Sequence, residues 1–173
     1  LAGGTGPAKL KTVAQLRPII ESLQREGKRV VWTNGCFDIL HVGHITYLSR
    51  ARQEGDVLVV GLNSDASVRT LKGPHKPYLN QADRKRMLLA LRAVDAVMVF
   101  DELDPGRLIR ELKPDVLVKG GDWPVEKIIG SDFVQSYGGE VYSLPLLGSY
   151  SSTAVAEQIR EQIPELPAFR KAS

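Results

Sequence analysis

Five short runs rich in β-branched and aromatic residues, Arg29–Trp32, Asp56–Leu62, Ala96–Phe100, Asp115–Val118 and Glu140–Leu144, alternate along this chain with longer segments in helical period. Each connection is long enough for a crossover, so the strands are expected to lie parallel, with right-handed crossovers placing helices on both faces. The run Asp56–Leu62 is almost continuously apolar, as a strand covered on both faces should be. These features predict an α/β fold: a single Rossmann-like domain spanning 1–173, built on a parallel sheet of about five strands. A chain of 173 residues holds one sizeable core and is short for two.

The helical segments have readable ends. Val13, Leu16, Ile19, Ile20 and Leu23 recur at helical spacing behind Thr12 as a cap, with Gly27 as a stop. Asn63-Ser64-Asp65 starts a short helix to about Leu71, and Asn80 caps one running through Arg92. Asp104-Pro105 opens a helix to Lys113, with proline at its first position. Val125 to Tyr137 reads as one helix stopped by Gly138-Gly139, and a last helix runs to about Gln162. The Gly-rich start (1–9) and the tail (164–173) are expected to be flexible.

The first strand runs into Thr33-Asn34-Gly35-Cys36-Phe37-Asp38-Ile39-Leu40-His41-Val42-Gly43-His44, after which Ile45, Leu48 and Ala51 mark a helix. A glycine-punctuated turn from strand to helix is where parallel α/β folds place ligands, because free backbone N–H groups and the positive helix end point there. His41 and His44 stand three residues apart, so both can reach one anion, and Gly43 lets backbone approach it closely. Two further polar clusters fall at strand ends, Lys119-Gly120-Gly121-Asp122-Trp123 and the loop before Ser151-Ser152-Thr153. In an open parallel sheet all three converge on one edge.

Several side chains admit two readings. Asp38, His41 and His44 step by three, as carboxylate and imidazole ligands of zinc would. The only other histidine is His75 and Cys36 lies in a tight turn, so no resident metal is expected. Lys72 is either a solvated loop lysine or a phosphate clamp on a flap, and Arg84 either a surface arginine or an anion contact near a helix start. Ser151, Ser152 and Thr153 cap the last helix and, in the functional reading, also hold phosphate there. Cys36 is either a reactive thiol or, as favoured here, a small residue whose backbone faces the ligand.

Composition narrows the partners. The net charge is +3 and no basic run exceeds Arg84-Lys85-Arg86, so no nucleic-acid partner is expected. One cysteine excludes an internal disulfide, no apolar run approaches the roughly 20 residues that span a bilayer, and no secretory pattern opens the chain. A soluble cytoplasmic protein with no membrane partner is the expectation.

The pattern Gly-x-Phe-Asp-x-x-His-x-Gly-His, met from Gly35 to His44, resembles the signature of nucleotidyltransferases of the cytidylyltransferase type, relatives of the class I aminoacyl-tRNA synthetase core. The resemblance runs from about Lys28 to Arg160. With Leu71-Lys72-Gly73, Val118-Lys119-Gly120-Gly121-Asp122 and Tyr150-Ser151-Ser152-Thr153-Ala154 it looks closest to the adenylyltransferases that make ADP-heptose for lipopolysaccharide. Those often form half of a bifunctional heptose kinase/adenylyltransferase; no kinase half is seen here, so the resemblance implies a stand-alone version. The arginine that cytidylyltransferases usually carry before the Ser/Thr cluster is missing from Leu144–Ser151, which argues against cytidine and fits the heptose branch.

The resemblance implies AMP transfer from ATP, with Mg²⁺, to a sugar 1-phosphate, D-glycero-D-manno-heptose 1-phosphate. It assigns catalysis to His41, His44 and Lys72. It assigns nucleotide binding to Asn34, Gly35, Cys36, Phe37, Gly43, Gly120, Asp122, Ser151, Ser152 and Thr153, and sugar-phosphate binding to Asp38, Arg84 and Trp123. Relatives are often dimers, so a homodimer is possible. Glycerol-phosphate or pantetheine-phosphate acceptors, and a nucleotide-binding module without turnover, are the alternatives.

Overall fold

The computed structural model describes residues 12–145 and 150–162. Its centre is a five-stranded, all-parallel sheet in the order β3-β2-β1-β4-β5. The strands are β1 (Val30–Gly35), β2 (Val57–Asn63), β3 (Ala96–Phe100), β4 (Val116–Gly120) and β5 (Glu140–Leu144). Helices α1 (Val13–Arg25), α2 (Val42–Gln53), α3 (Asp65–Lys72), α4 (Gln81–Ala90), α5 (Gly106–Leu112), α6 (Ser131–Ser136) and α7 (Ser152–Gln162) complete the described chain. The segments 1–9 and 164–173, expected to be flexible, lie outside the described residues.

Alternation along each strand divides the core in two. Trp32, Val59 and Leu117 pack on one face with Leu16 and Ile20 of α1, Leu108, Ile109 and Leu112 of α5 and Val134 of α6. Val31, Val60 and Val116 pack on the other with Tyr47, Leu48 and Ala51 of α2 and Leu88 of α4. Local signals fix the helix starts. Thr12 Oγ1 accepts from the Gln15 amide while Gln15 Oε1 accepts from the Thr12 amide, a reciprocal cap. Ser64 and Asn80 cap α3 and α4 in the same way, through side chains that accept from Ser67 and Asp83 amides. At α5 Pro105 stands at the cap itself and Asp104 Oδ1 accepts from the Gly106 amide, one residue later than expected. α4 ends at Ala90, short of Arg92, because Leu91 turns to an extended conformation.

Trp32 of the neighbouring strand β1 leaves no room at Gly61 of β2, where an added Cβ would lie 2.6 Å from its Cζ2. Gly61→Ala is expected to lower stability by about 1–3 kcal/mol, and an unchanged urea midpoint would contradict this packing.

One predicted helix is broken. In place of a single helix over Val125–Tyr137, a 3-10 turn at Val125–Lys127 is followed by an irregular Ile128–Gly130 and then α6. Gly130 has φ +88, a left-handed conformation that ends any right-handed helix passing through it. It also lies against Ile109, whose Cδ1 an added Cβ would meet at 2.9 Å. The break turns Ile128 into the core and leaves Ile129 half exposed beside the end of β4.

Candidate active site

β1 and β2 stay in register up to Gly35 and Leu62, and β4 and β5 up to Gly120 and Leu144. β1 and β4 pair only at Val31–Val116 and Trp32–Leu117. Beyond Trp32 the two central strands part, at the point where the sheet order reverses, and a crevice opens between their carboxyl ends. Buried Tyr47 of α2 spans the gap at its base: its hydroxyl is 2.6 Å from Thr33 Oγ1 and donates to the Val118 carbonyl at 3.2 Å. Above it is a cavity of about 160 Å³ lined by the Asn34–Asp38 loop, His44, Lys72, Lys119, Gly120 and Ser152.

The two histidines stand at the start of α2, His41 as its cap residue and His44 three positions on. Their rings stack at 3.9 Å between centroids and 24° between planes. His41 also stacks on Tyr150, and Phe37 tilts against His44. An added Cβ at Gly43 would lie 3.0 Å from His41 Nδ1 and 3.2 Å from Tyr150 Cβ, so glycine is what allows His41 to fold back over its neighbour. Phe37 holds φ +43, a sparsely populated conformation for a non-glycine residue. Such strain is concentrated in loops that present ligand-binding groups. The Nδ1 atoms of both histidines are buried without a hydrogen-bond partner. An unmet buried polar atom costs about 1–3 kcal/mol.

The charges point the same way. Burial, then His41 and Lys72, lower the His44 pKa to about 4. Burial likewise lowers His41, and burial followed by Lys72 lowers Lys119. Among the described residues neither Lys72 nor Lys119 has an ion-pair partner. Two ammonium groups, the His44 imidazole and the amino end of α2 thus face one cavity against a single carboxylate, Asp38, an arrangement suited to a polyanion.

His44 gives the free protein a pH signature. Its pKa of about 4 lies below the ordinary 6.5, so the unfolded chain takes up this proton first. Stability is expected to be full above about pH 6.5 and to fall by about 1–2 kcal/mol towards pH 4, solvent access damping the effect. Urea midpoints at pH 7 and pH 5 should differ more in the wild type than in His44→Gln. Equal losses in both proteins would show that His44 is not the group responsible.

The structure redistributes other expected roles. Asp38 is buried and accepts from the Tyr78 and Leu79 amides, each at 2.9 Å, so both carboxylate oxygens hold protein backbone at the wall of the cavity. Arg84, expected at the acceptor phosphate, is wholly buried. Its guanidinium donates to the Leu79 carbonyl, the Cys36 carbonyl and Asp65 Oδ1. These contacts give both side chains a positioning role: Asp38 takes the Leu79 N–H and Arg84 its C=O, locking the segment after Lys72 and Gly73 onto the signature loop. Ser151 Oγ caps α7 by accepting from the Ala154 amide, and Ser152 Oγ donates to the Ile39 carbonyl from the cavity wall. Thr153 is exposed and lines neither cavity of the crevice, and the same holds for Asp122.

Trp123 lies in a second cavity of about 180 Å³ with Asn34, Lys119, Lys127, Ile128 and Ile129. Its loop is pinned to β5: the Trp123 amide donates to Ser143 Oγ, which in turn donates to the Gly121 carbonyl. Lys119 borders both cavities; the sequence places it in the polar cluster at the end of the fourth strand without giving it a role of its own. Among the described residues no three His, Cys, Asp or Glu side chains converge to hold a metal ion. No described helix is long and apolar enough to cross a membrane.

Comparison with known proteins agrees with this architecture. "Bifunctional protein HldE" of Syntrophotalea carbinolica is 50% identical over 90% of this chain, which covers 32% of that protein. The protein of the same name from Geotalea uraniireducens is 52% identical over 88% of the chain, covering 31%. The chain thus spans about a third of the length of these curated relatives. The crystal structure of a lipopolysaccharide core biosynthesis protein from Thermoplasma volcanium superposes with a TM-score of 0.56 at 29% identity, over 72% of this chain and 100% of that one. A pantoate-beta-alanine ligase from Francisella tularensis shares the fold at 18% identity, with a TM-score of 0.58 over 88% of this chain and 77% of that one. The cytidylyltransferase-like family model matches residues 32–142, from the first strand through both cavities to β5, and the chain belongs to that family.

Proposed function

We propose that this chain transfers AMP from ATP to D-glycero-D-manno-heptose 1-phosphate, giving ADP-heptose and pyrophosphate for lipopolysaccharide core synthesis. The observation that carries the reading is the cluster of His44, Lys72 and Lys119 around one cavity at the switch point of the sheet, with His41 stacked on His44. The names of the relatives and the lipopolysaccharide title of a structural neighbour support the heptose acceptor. The missing arginine between Leu144 and Ser151 supports ATP over CTP.

In this reaction an oxygen of the sugar phosphate forms a bond to the α-phosphorus of ATP. The bond from that phosphorus to the α–β bridging oxygen breaks, and its electron pair leaves with pyrophosphate. The attacking oxygen is already anionic and needs no general base. The protein's task is therefore to align two polyanions and stabilise charge as it moves to the bridging oxygen. His41 and His44 donate to the triphosphate, Lys72 closes on it from the end of α3, and backbone around Cys36, Phe37 and Gly120 frames the nucleotide. Mg²⁺ arriving with ATP would be held through phosphate oxygens and water and would neutralise part of the triphosphate charge. ATP as the donor supports a cytoplasmic reaction, and a homodimer is readily checked by light scattering.

The test is pyrophosphate release with ATP and Mg²⁺ against a panel of acceptors. Release with heptose 1-phosphate alone is the expected result. Release with glycerol 3-phosphate or phosphopantetheine, or with CTP as donor, would replace the acceptor or the nucleotide. No release with any pair, despite nucleotide binding, would make this a binding module.

A further inference from the structure

We propose that Tyr47 is a positioning residue for His44: its buried hydroxyl takes the place of a missing backbone hydrogen bond between β1 and β4, and by tying α2 to both strands it holds the imidazole at the cavity. The catalytic consequence rests on the adenylyl-transfer reading.

The strand register shows which bond the hydroxyl replaces. β1 and β4 pair at Val31–Val116 and Trp32–Leu117 and no further. On the far side of β4 the Asp115 carbonyl accepts from the Glu140 amide and the Gly121 amide donates to the Leu144 carbonyl, so the odd-numbered groups face β5. The even-numbered groups, those of Val116, Val118 and Gly120, therefore face β1. In a continued parallel ladder the Val118 carbonyl would next accept from the Asn34 amide. It accepts instead from the Tyr47 hydroxyl, at 3.2 Å. A phenol has one hydrogen, so with that hydrogen on Val118 it is Thr33 Oγ1, 2.6 Å away, that donates to the phenol oxygen. A relay Thr33–Tyr47–Val118 thus crosses the gap where the ladder ends. All three residues are buried, and burial raises the tyrosine pKa, which keeps the donor protonated.

The joint fixes more than the strands. His44 and Tyr47 stand three residues apart on α2, on one face of the helix, and both line the cavity. Lys119, next to Val118, lines it too. The separation of imidazole and ammonium is set through one hydroxyl. The ring itself packs with Val31, Leu48 and Val118, contacts that phenylalanine would keep, so what the oxygen adds is the joint.

The experiment compares Tyr47→Phe, Thr33→Val and Thr33→Ser in the full chain. It measures turnover per folded molecule, the dissociation constant of a non-hydrolysable ATP analogue, and the His44 pKa by imidazole NMR. In Tyr47→Phe, kcat is expected to fall about 10–100-fold while analogue affinity changes less than about threefold. The His44 pKa, about 4 in the wild type, should move up towards the ordinary 6.5 as the released helix lets water reach the ring. Thr33→Val should reproduce both effects and add little to Tyr47→Phe, because each breaks the same relay. Thr33→Ser keeps the donor and should behave as the wild type. Should Tyr47→Phe fail to fold, the two threonine variants carry the same comparison. A lower melting temperature with kcat per folded molecule and the His44 pKa unchanged would make Tyr47 a packing residue and overturn the proposal, as would full additivity of Thr33→Val and Tyr47→Phe. If the wild type releases no pyrophosphate with any acceptor, the transfer reading fails by itself. The His44 pKa then decides the joint: a rise in Tyr47→Phe upholds it, and no change overturns it.

Discussion

Replacing His44 with alanine is expected to lower kcat by about 10²–10³-fold, the usual cost of removing one preorganised donor from a developing anion. ATP affinity should change by less than about tenfold, because the contact strengthens as charge moves onto the leaving pyrophosphate. His44 is neutral in the free protein at pH 7, held down to about 4 by burial and its cationic neighbours. An arriving triphosphate reverses that balance, since a polyanion beside the ring favours the protonated form. His41→Ala should behave similarly, because the stacked rings hold one another in place. An equal loss in affinity and turnover would show uniform binding and deny the histidines a part in the transition state.

Arg84→Met is the second large effect, and it falls on stability. The wholly buried guanidinium satisfies the Cys36 and Leu79 carbonyls and pairs with Asp65 at 2.8 Å. Removing one member of such a network leaves its partners buried and unmet, a loss of about 3–5 kcal/mol. Lysine should not rescue it, because an ammonium cannot reach three acceptors in the geometry of a planar fork. Had Arg84 bound the acceptor phosphate, Arg84→Met would raise the acceptor KM and leave the melting temperature unchanged; chemical denaturation separates the two. Where the variant still folds, Lys72 should lose its position, because the lock on Leu79 is what ties its flap to the signature loop.

The positions of β1, the signature loop and α2 were legible because their signals are local: a β-branched run, glycines and a following 3.6-residue period. Convergence of the three polar clusters followed from the parallel topology alone. The positioning contacts of two residues were not legible, for one cause. Asp38 bonds Tyr78 and Leu79, 40 and 41 residues on, and Arg84 reaches back 48 residues to Cys36 as well as to the nearer Asp65 and Leu79. Nothing local distinguishes a buried clamp from a ligand contact. The helix through Ile129 failed for a similar reason, since the left-handed Gly130 is fixed by packing on Ile109 rather than by its neighbours in sequence. Lys119 is legible only as part of its cluster, because its place between two cavities is set by the fold. The loop where the arginine is missing falls largely at 146–149, outside the described residues.

The most direct test of the central claim follows the label from [α-³²P]ATP in the presence of heptose 1-phosphate and Mg²⁺. Adenylyl transfer predicts that the label enters a sugar nucleotide, with one pyrophosphate released for each product formed. With [γ-³²P]ATP all label should appear in pyrophosphate. Label that stays in ATP, appears in free AMP without an acceptor product, or passes from the γ-position to the sugar would contradict the account.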